Sequence, residues 1–594
     1  MSDRMTTRAA RWSFASLVAI AGLGLAASMP SFGCNRHPHS QDSGTPTADS
    51  AGIDPEADAR YEIDLFAFGR QLGTIAPCGC TTDPLGGLQY AFGYIEAQSE
   101  PGRRLVLEPG SFLFPDPEGP EAPVDEAAWA QAQQRAELLQ SRFSRLDGLV
   151  SGLGPTDFAS GASAEALGKF PLPRALANLE ATVELATVER MRVIPLGREL
   201  SAAVTVVVDP ALGKAARATA WGKDFPALTD PIAALKELAP KLDEAANLQI
   251  VMVHGPRALA EAVAREVEGV DVVIMGGVID NADRGRLGST PVLIGSTWVL
   301  EPGDRAQTIS HLTLSIDAKL AAGVLPGQWT VVPSKAQLDR ELVRVEERLA
   351  KFAGVPSADA GFIAQLEGER ARLRAALEGR AIGQDVPVAV ISEQVKVTCR
   401  LASDEAAEQA LVGYDAQVAE RNRERFAGVH PPDPAPGQAA YVGVEACADC
   451  HSEAVELWKT TAHGHAYETL VTANKQFDLS CVGCHVTGFR EPGGSEVVEN
   501  HALQAVQCEQ CHGPGSLHVE EPSSANIRLE APSGVCLGCH TPEHSDTFDY
   551  VPYLRDVLGS GHGASARAKL GDGKTGRQLR AEGLEQAGGA CKPM

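Results

Sequence analysis

Residues 446–463 read ACADCHSEAVELWKTTAH, and the Cys-x-x-Cys-His inside that stretch, Cys447–His451, recurs three more times. The copies are CVGCH at Cys481–His485, CEQCH at Cys508–His512 and CLGCH at Cys536–His540. This pattern is the attachment signature of c-type haem. The thiol pairs Cys447/Cys450, Cys481/Cys484, Cys508/Cys511 and Cys536/Cys539 can each add across two vinyl groups. His451, His485, His512 or His540 then reaches the iron from one face. A zinc site or a redox dithiol would account for Cys-x-x-Cys alone, not for a His after every second Cys. The repeats predict four covalently bound haem c groups.

Working outward, residues 438–563 show almost no apolar periodicity. Four porphyrins would supply the bulk that side chains do not, as metals do in other core-poor modules. The 27 to 34 residues between successive motifs keep such groups close enough for sequential electron hopping. A second axial ligand must be His, or the position is open, because all seven methionines lie outside this segment. The available histidines are His463, His465, His501, His518, His544 and His562, with His430 just upstream. Two imidazoles per iron, without Met, imply low reduction potentials.

The stretch YVGVEACADCHSEAVELWKTTAHGHAYETL resembles the opening of the cytochrome c-554-like multihaem family, where W-x-x-T-x-H-x-x-A follows the first motif. VQCEQCHGPGSLH resembles that family's third site. The resemblance implies His463 and His518 as distal iron ligands, with His562, in SGHG, a further candidate. It implies either an electron carrier or an oxidoreductase with an open haem position acting on nitrogen compounds. For His465, His501 and His544 a solvent-exposed role is an equal reading.

At the amino terminus, Arg4, Arg8 and Arg11 precede a short apolar run from Phe14 to Ala27, the pattern of an export signal over residues 1–34. Ser31-Phe32-Gly33-Cys34 resembles a lipoprotein cleavage site, although Ser31 stands where Leu is expected. A lipid anchor on Cys34 and ordinary cleavage to a soluble periplasmic product both fit. Residues 35–59 are polar, Pro- and Ser-rich, and read as a disordered linker. The formal charge of −25 excludes nucleic acid as a partner. Thirteen cysteines less eight in the motifs leave too few for a disulfide framework.

From Tyr61, short apolar β runs (YEIDLFAF, RLVLE, AVTVVVD, LQIVMV, VDVVIM) alternate with helical stretches, predicting a layered α/β domain over 60–330. It resembles the calcineurin-like metallophosphatase fold of 5′-nucleotidases, with the ligands of the two-metal centre missing. IDLFAFG stands where that family has Asp-x-His, and GLGPTDFASG where it has Asn-His. No His follows Met275-Gly276-Gly277, and His254 and His311 are the only histidines between Asp42 and Gly428. The resemblance therefore implies a degenerate domain, and the missing ligands argue against phosphohydrolase activity. His254 reads most simply as a packed histidine. APCGCTTDPLGGLQY places Cys78 and Cys80 in a turn after the first strand. It resembles an element of phosphatase-like domains fused to cytochromes. It is a candidate thiolate metal or redox site, the alternative being buried thiols or a bond to Cys399.

Leu338, Leu342, Val345, Leu349 and Phe352 open an antiparallel helical hairpin within a connecting region, 334–427. HPPDPAPGQ links it to the haem segment. The Gly-, Ala- and Arg-rich tail, 564–594, is expected to fray. The fold class is therefore multidomain: an α/β layered metallophosphatase-like domain, a helical hairpin, and a mostly α or irregular tetrahaem cytochrome c domain. The expected function is electron transfer in the periplasm, with a redox protein or a small-molecule donor or acceptor as partner. The alternative is a periplasmic oxidoreductase acting on a small nitrogen or sulfur compound.

Overall fold

The computed structural model describes residues 60–591 apart from 78–79, 117–124, 160–166, 182–184, 186, 220–221, 278–286, 321–324, 326–328, 353–358, 379–385 and 543. The export signal, Cys34, the linker 35–59 and Cys78 lie outside the described residues. Among the described residues no helix is long and apolar enough to cross a membrane.

Two sheets carry the amino-terminal unit. Strand β1 (Arg60–Ala67) pairs parallel with β2 (Arg104–Glu108) and antiparallel with β12 (Thr308–Asp317). The eight-stranded sheet continues through β3 (Leu149–Ser151), β4 (Arg174–Ala175) and β5 (Val188–Glu189) on one side. On the other lie β14 (Val388–Lys396) and β13 (Thr330–Val332). The second sheet has β7 (Ser201–Val208), β8 (Leu248–His254) and β9 (Val272–Met275) parallel at its centre. With β6 (Arg192–Pro195), β10 (Gly288–Ile294) and β11 (Thr297–Pro302) added, its order is β10-β11-β9-β8-β7-β6.

The period-2 pleat explains why these strands read as unbroken apolar runs. In β1, Ile63, Leu65 and Ala67 face the second sheet, while Phe66 and, just past the strand, Phe68 face helices on the outside. In β8, Ile250 and Met252 join the inter-sheet core, while Val251 and Val253 face helices Pro231–Ala245 and Arg257–Glu266. The layers are helix, sheet, sheet, helix. Helices Leu88–Gln98, Glu126–Phe143 and Glu405–Arg425 form the outer layer over the first sheet, through Phe92, Phe143, Leu411 and Tyr414.

The hairpin of Lys335–Phe352 and Ala360–Leu377 closes on Leu338, Val345, Leu366 and Leu373. It is inserted between β13 and β14, two strands of the first sheet, and helix Glu405–Arg425 covers that same sheet. The α/β unit thus extends well past residue 330. A run read in the sequence as connecting region supplies a strand between β13 and β12.

Beyond Gly437 the described residues form short helices, with no strand except isolated bridges. This unit leans on the α/β unit. Val482, Val486 and Val497 pack with Ala127 and Phe426. Gln131 donates to Asp478 at 2.6 Å, Arg135 to Ser480 at 3.1 Å, and Asn422 to the Phe477 carbonyl at 2.8 Å. Arg490 pairs with Asp125 and with Glu496.

Two expectations change. The tail forms helices Ala564–Lys569 and Gly576–Gln586, the second opened by a Thr575 capping box. Cys399 bonds to Cys591, 192 residues away, and not to Cys78 or Cys80. The disulfide has no local signature, because its partner lies far along the chain; the Thr-x-x-Gln of the capping box is local but is outweighed by the tail's composition.

At one position the packing leaves no room for a side chain. A Cβ on Gly93 would lie 2.1 Å from the Ala402 carbonyl oxygen, where helix Leu88–Gln98 meets the chain entering helix Glu405–Arg425. Gly93→Ala should lower stability by about 1–3 kcal/mol through forced backbone separation. Denaturant unfolding followed by circular dichroism checks this, and an unchanged midpoint would show that the two segments can part freely.

Candidate haem centres and a buried polar cluster

Each motif lies in or against a short helix: Val444–Lys459, Val482–His485, Cys508–His512 and Ser533–Leu537. Cysteines three apart on a helical turn share one face. In the first motif the helix kinks at His451 (φ −119°, ψ 38°), turning the imidazole out of the regular path. The motifs also meet one another. The Cys447 thiol interacts with Cys508, and Cys484 with Cys539, while Cys511 and Cys536 lie close enough to affect each other's charge. These sulfurs stand for thioethers once haem is attached.

Cys450 differs in exposure from the other seven motif cysteines. Cys450 is exposed, whereas Cys447, Cys481, Cys484, Cys508, Cys511, Cys536 and Cys539 are half-buried. Its partner Cys447 sits one turn earlier, against the third motif. Cys450 comes just before the kink at His451, where the helix has turned toward solvent. A pentapeptide fixes which thiols pair, but not how deep each one lies.

Ring geometry sorts the histidines. His451 and His518 have centroids 6.4 Å apart and planes 24° from parallel; His463 and His540 are 6.2 Å apart at 46°. Both separations exceed contact, and two metal–imidazole bonds of about 2 Å plus the half-width of each ring fill them. His562 has a buried Nδ1 with no partner. Burial lowers its pKa first, then the neighbouring His512, then His451. Among the described residues, His485 is linked to no second histidine. His465 sits exposed beside Glu468.

The outer nitrogens are fixed. Nδ1 of His485 meets the Ala466 carbonyl at 2.6 Å, and that of His512 the Arg528 carbonyl at 2.6 Å. Nδ1 of His540 meets Ser545 Oγ at 2.9 Å, and that of His518 the Ser523 carbonyl at 2.9 Å. A carbonyl can only accept, so His485 and His512 carry their proton on Nδ1, leaving Nε2 bare for a metal, whereas Nδ1 of His518 also lies 3.3 Å from the Ser523 N–H. Paired sulfurs, facing imidazoles and oriented tautomers all fit a haem c. Sequence alone picked His463 and His518, but did not show that His463 faces the fourth motif and His518 the first. Ala466, Arg528 and Ser545 carried no signal at all: any residue offers a carbonyl, and a serine is unremarkable in a loop.

In the α/β unit the ends of β2, β3, β4 and β8 converge on a closed polar cluster. Asp157 accepts from the backbone N–H groups of Ser111, Phe112, Leu113 and Gly154 at 2.7 to 3.0 Å. Glu108 accepts from Gly110 N–H and Ser151 Oγ, both at 3.0 Å. Arg174, 1% exposed, donates to the Leu167 carbonyl at 3.3 Å and feels both carboxylates. Burial pushes Glu108 well above the ordinary carboxylate range, and Asp157 adds to the shift. His254 Nε2 lies 3.4 Å from Ser111 Oγ; burial, then Arg70, pushes its pKa down to about 3. His311 belongs elsewhere, between Tyr94 OH (2.8 Å) and Asp64 (2.9 Å). No three His, Cys, Asp or Glu converge as a metal site among the described residues. Cys80 is exposed on a loop, and its carbonyl accepts from Arg580 at 2.8 Å.

Residues 446–513 match the family model described as cytochrome c554 and c-prime. A 93-residue stretch is 37% identical to cytochrome c-554 of Nitrosomonas europaea, covering 13% of this chain and 40% of that protein. The chain thus spans two fifths of the length of that relative. Among solved structures, the 5′-nucleotidase precursor of Thermus thermophilus aligns at 15% identity and a TM-score of 0.40, covering 65% of this chain and 63% of that one. The calcineurin-like phosphoesterase YfkN of Bacillus subtilis aligns at 14% identity and a TM-score of 0.33, covering 44% and 87%.

The buried acid makes a prediction about pH. Folding holds a proton on Glu108 that the unfolded chain releases above its ordinary value of 4.5. The stability this contributes is full below that value and declines as pH rises from it toward the folded value. Glu108→Gln, which cannot ionise, should gain on the native chain as pH rises. Urea unfolding at mildly acidic and mildly alkaline pH reads the difference; a gap independent of pH would show that Glu108 is ionised in the fold.

Proposed function

We propose that this protein is an exported tetrahaem c-type cytochrome that transfers electrons through closely packed, mainly bis-His haems. Its α/β unit is a catalytically degenerate phosphatase-like domain that binds a ligand or partner. The carrying observation is the pair of facing imidazole couples, His451/His518 and His463/His540, held at 6.4 and 6.2 Å. Bound haem c supplies a one-electron ferric/ferrous couple at each motif. The chain's own part is to anchor, orient and insulate. The cysteine pairs fix position. Carbonyls of Ala466 and Arg528 hold His485 and His512 in one tautomer, and Ser523 and Ser545 steady His518 and His540. His562 is the further candidate ligand, its buried Nδ1 having no hydrogen-bond partner among the described residues. The degenerate reading of the α/β unit rests on Arg174, whose buried guanidinium lies among Glu108 and Asp157 and supplies the positive charge there.

One observation favours the second reading, an oxidoreductase acting on a small nitrogen or sulfur compound. Among the described residues His485 has no second imidazole, which suits an open coordination position at the second motif.

The test is mass spectrometry with electron paramagnetic resonance on protein matured in a host that attaches haem. Four adducts per chain are expected. His463→Ala should convert one haem of the four to high-spin and leave the His451/His518 signal intact. An unchanged spectrum would reassign the ligand opposite His540, and fewer than four adducts would end the tetrahaem reading. Carbon monoxide binding by the reduced native protein supports the oxidoreductase reading; inertness favours the carrier.

A further inference from the structure

The segment after Gly563 differs in net charge from the unit it folds against, although Arg555 of that unit also donates to its carbonyls at Leu570, Gly571 and Lys574. Residues 438–563 hold seventeen Asp and Glu against five Lys and Arg; residues 564–594 hold six Lys and Arg against three Asp and Glu. The basic segment folds back on the acidic unit. Lys569 pairs with Glu530 at 2.7 Å, and Arg577 takes Asp556 through its backbone N–H at 2.7 Å. Arg577 also donates to the Thr460 carbonyl at 2.9 Å.

Its position matters more than its charge. Gly576 lies against the Tyr553 ring, and Tyr553 stands edge-on to His540 with centroids 5.4 Å apart. Gly583 lies against Thr547 and Thr82. Thr82 is held by Asp546, the neighbour of the Ser545 that contacts His540. Helix Gly576–Gln586 therefore overlies the edge of the fourth motif where it meets the Cys80 loop.

Little apolar burial keeps the helix there. It buries Gly576 alone, and helix Ala564–Lys569 buries nothing. Surface ion pairs are weak fastenings in salt. The one covalent tie is Cys399–Cys591, reinforced where Arg400 donates to the Gly589 carbonyl at 2.8 Å.

We propose that residues 564–591 are a disulfide-latched cover over the fourth motif. It occupies the acidic surface on which a basic electron-exchanging protein would dock. A dithiol reductant opens it. One thiolate attacks the Cys399–Cys591 bond to form a mixed disulfide, and the second thiol displaces it. The donor leaves as a disulfide, and Cys399 and Cys591 take up two electrons and two protons. With the latch open, the basic helix is held only by its ion pairs and hydrogen bonds, and an external basic partner competes with it for the surface.

This rests on the haem reading above, and the test separates the two. Full-length holo-protein and a C399S/C591S variant are compared by hydrogen exchange over residues 576–586. They are also compared by stopped-flow oxidation of the reduced protein, with a basic single-haem cytochrome c and with a neutral small-molecule oxidant. The variant should lose exchange protection in the helix and react about tenfold faster with the basic cytochrome at low ionic strength, the gain shrinking with salt. Its rate with the neutral oxidant should not change. R577E/R580E, with the latch intact, should also lose protection, because its charge now repels the acidic face. Full protection in C399S/C591S overturns the latch. Lost protection with an unchanged rate overturns the cover. Failure of both proteins to react with either oxidant overturns the haem reading, and the cover with it.

Discussion

Two imidazoles held a little over 6 Å apart do not attract each other through a gap. Left to themselves they would hydrate or stack. In the proposed haem arrangement a group ligated by both imidazoles would set that separation, and the cohesion of the carboxyl-terminal unit would rest on it. Its buried apolar residues are few: Val444, Val455, Leu470, Val482, Val486, Val497, Leu503 and Ala505. A segment of some 125 residues with so thin a core needs a further source of cohesion. The same groups that would carry electrons would hold the unit together, so ligand loss and unfolding would be linked as they are in small metal-dependent domains.

The α/β unit is built the other way. Its two sheets bury leucine, valine and isoleucine on both faces, and its helices close the outside. It is rigid enough to serve as a template, and the carboxyl-terminal unit uses it as one. Val482, inside the second motif, is fully buried against a cluster that includes Ala127 and Phe426, and Asp478 and Ser480 are gripped by Gln131 and Arg135. The second motif therefore takes its position from helix Glu126–Phe143. The fourth is fixed through Asp546, which accepts from the backbone and hydroxyl of Thr82. Two of four motifs are set by contacts outside their own unit.

What was legible in the sequence follows from how local each signal is. The haem motifs are pentapeptides and could be read without any fold, although the exposure of Cys450 could not. The central strands were legible because doubly buried β runs are apolar throughout, and the hairpin because Leu338, Leu342 and Val345 mark one helical face. The long-range relations were not legible. Nothing in VPVAVIS says that it will lie between β13 and β12. His463 follows the first motif by twelve residues yet faces His540, seventy-seven residues away. Arg174 carries no signal in the sequence and is 1% exposed. The tail read as frayed because composition reports its own weak cohesion, not the disulfide and the carbonyls that hold it.

The same crossing of order organises the motifs. The first interacts with the third through Cys447 and Cys508, the second with the fourth through Cys484 and Cys539, and the third with the fourth through Cys511 and Cys536. Spatial order is thus first, third, fourth, second, and not the order of the chain. The two ends of that series differ in kind. The first has an imidazole partner in His518, and its Cys450 side opens to solvent. The second ends at His485, the motif histidine linked to no other among the described residues. The fourth lies inside the series, beneath helix Gly576–Gln586 and next to the Cys80 loop. The spatial series is therefore set by contacts between thiols far apart in the chain, and not by the order in which the pentapeptides occur.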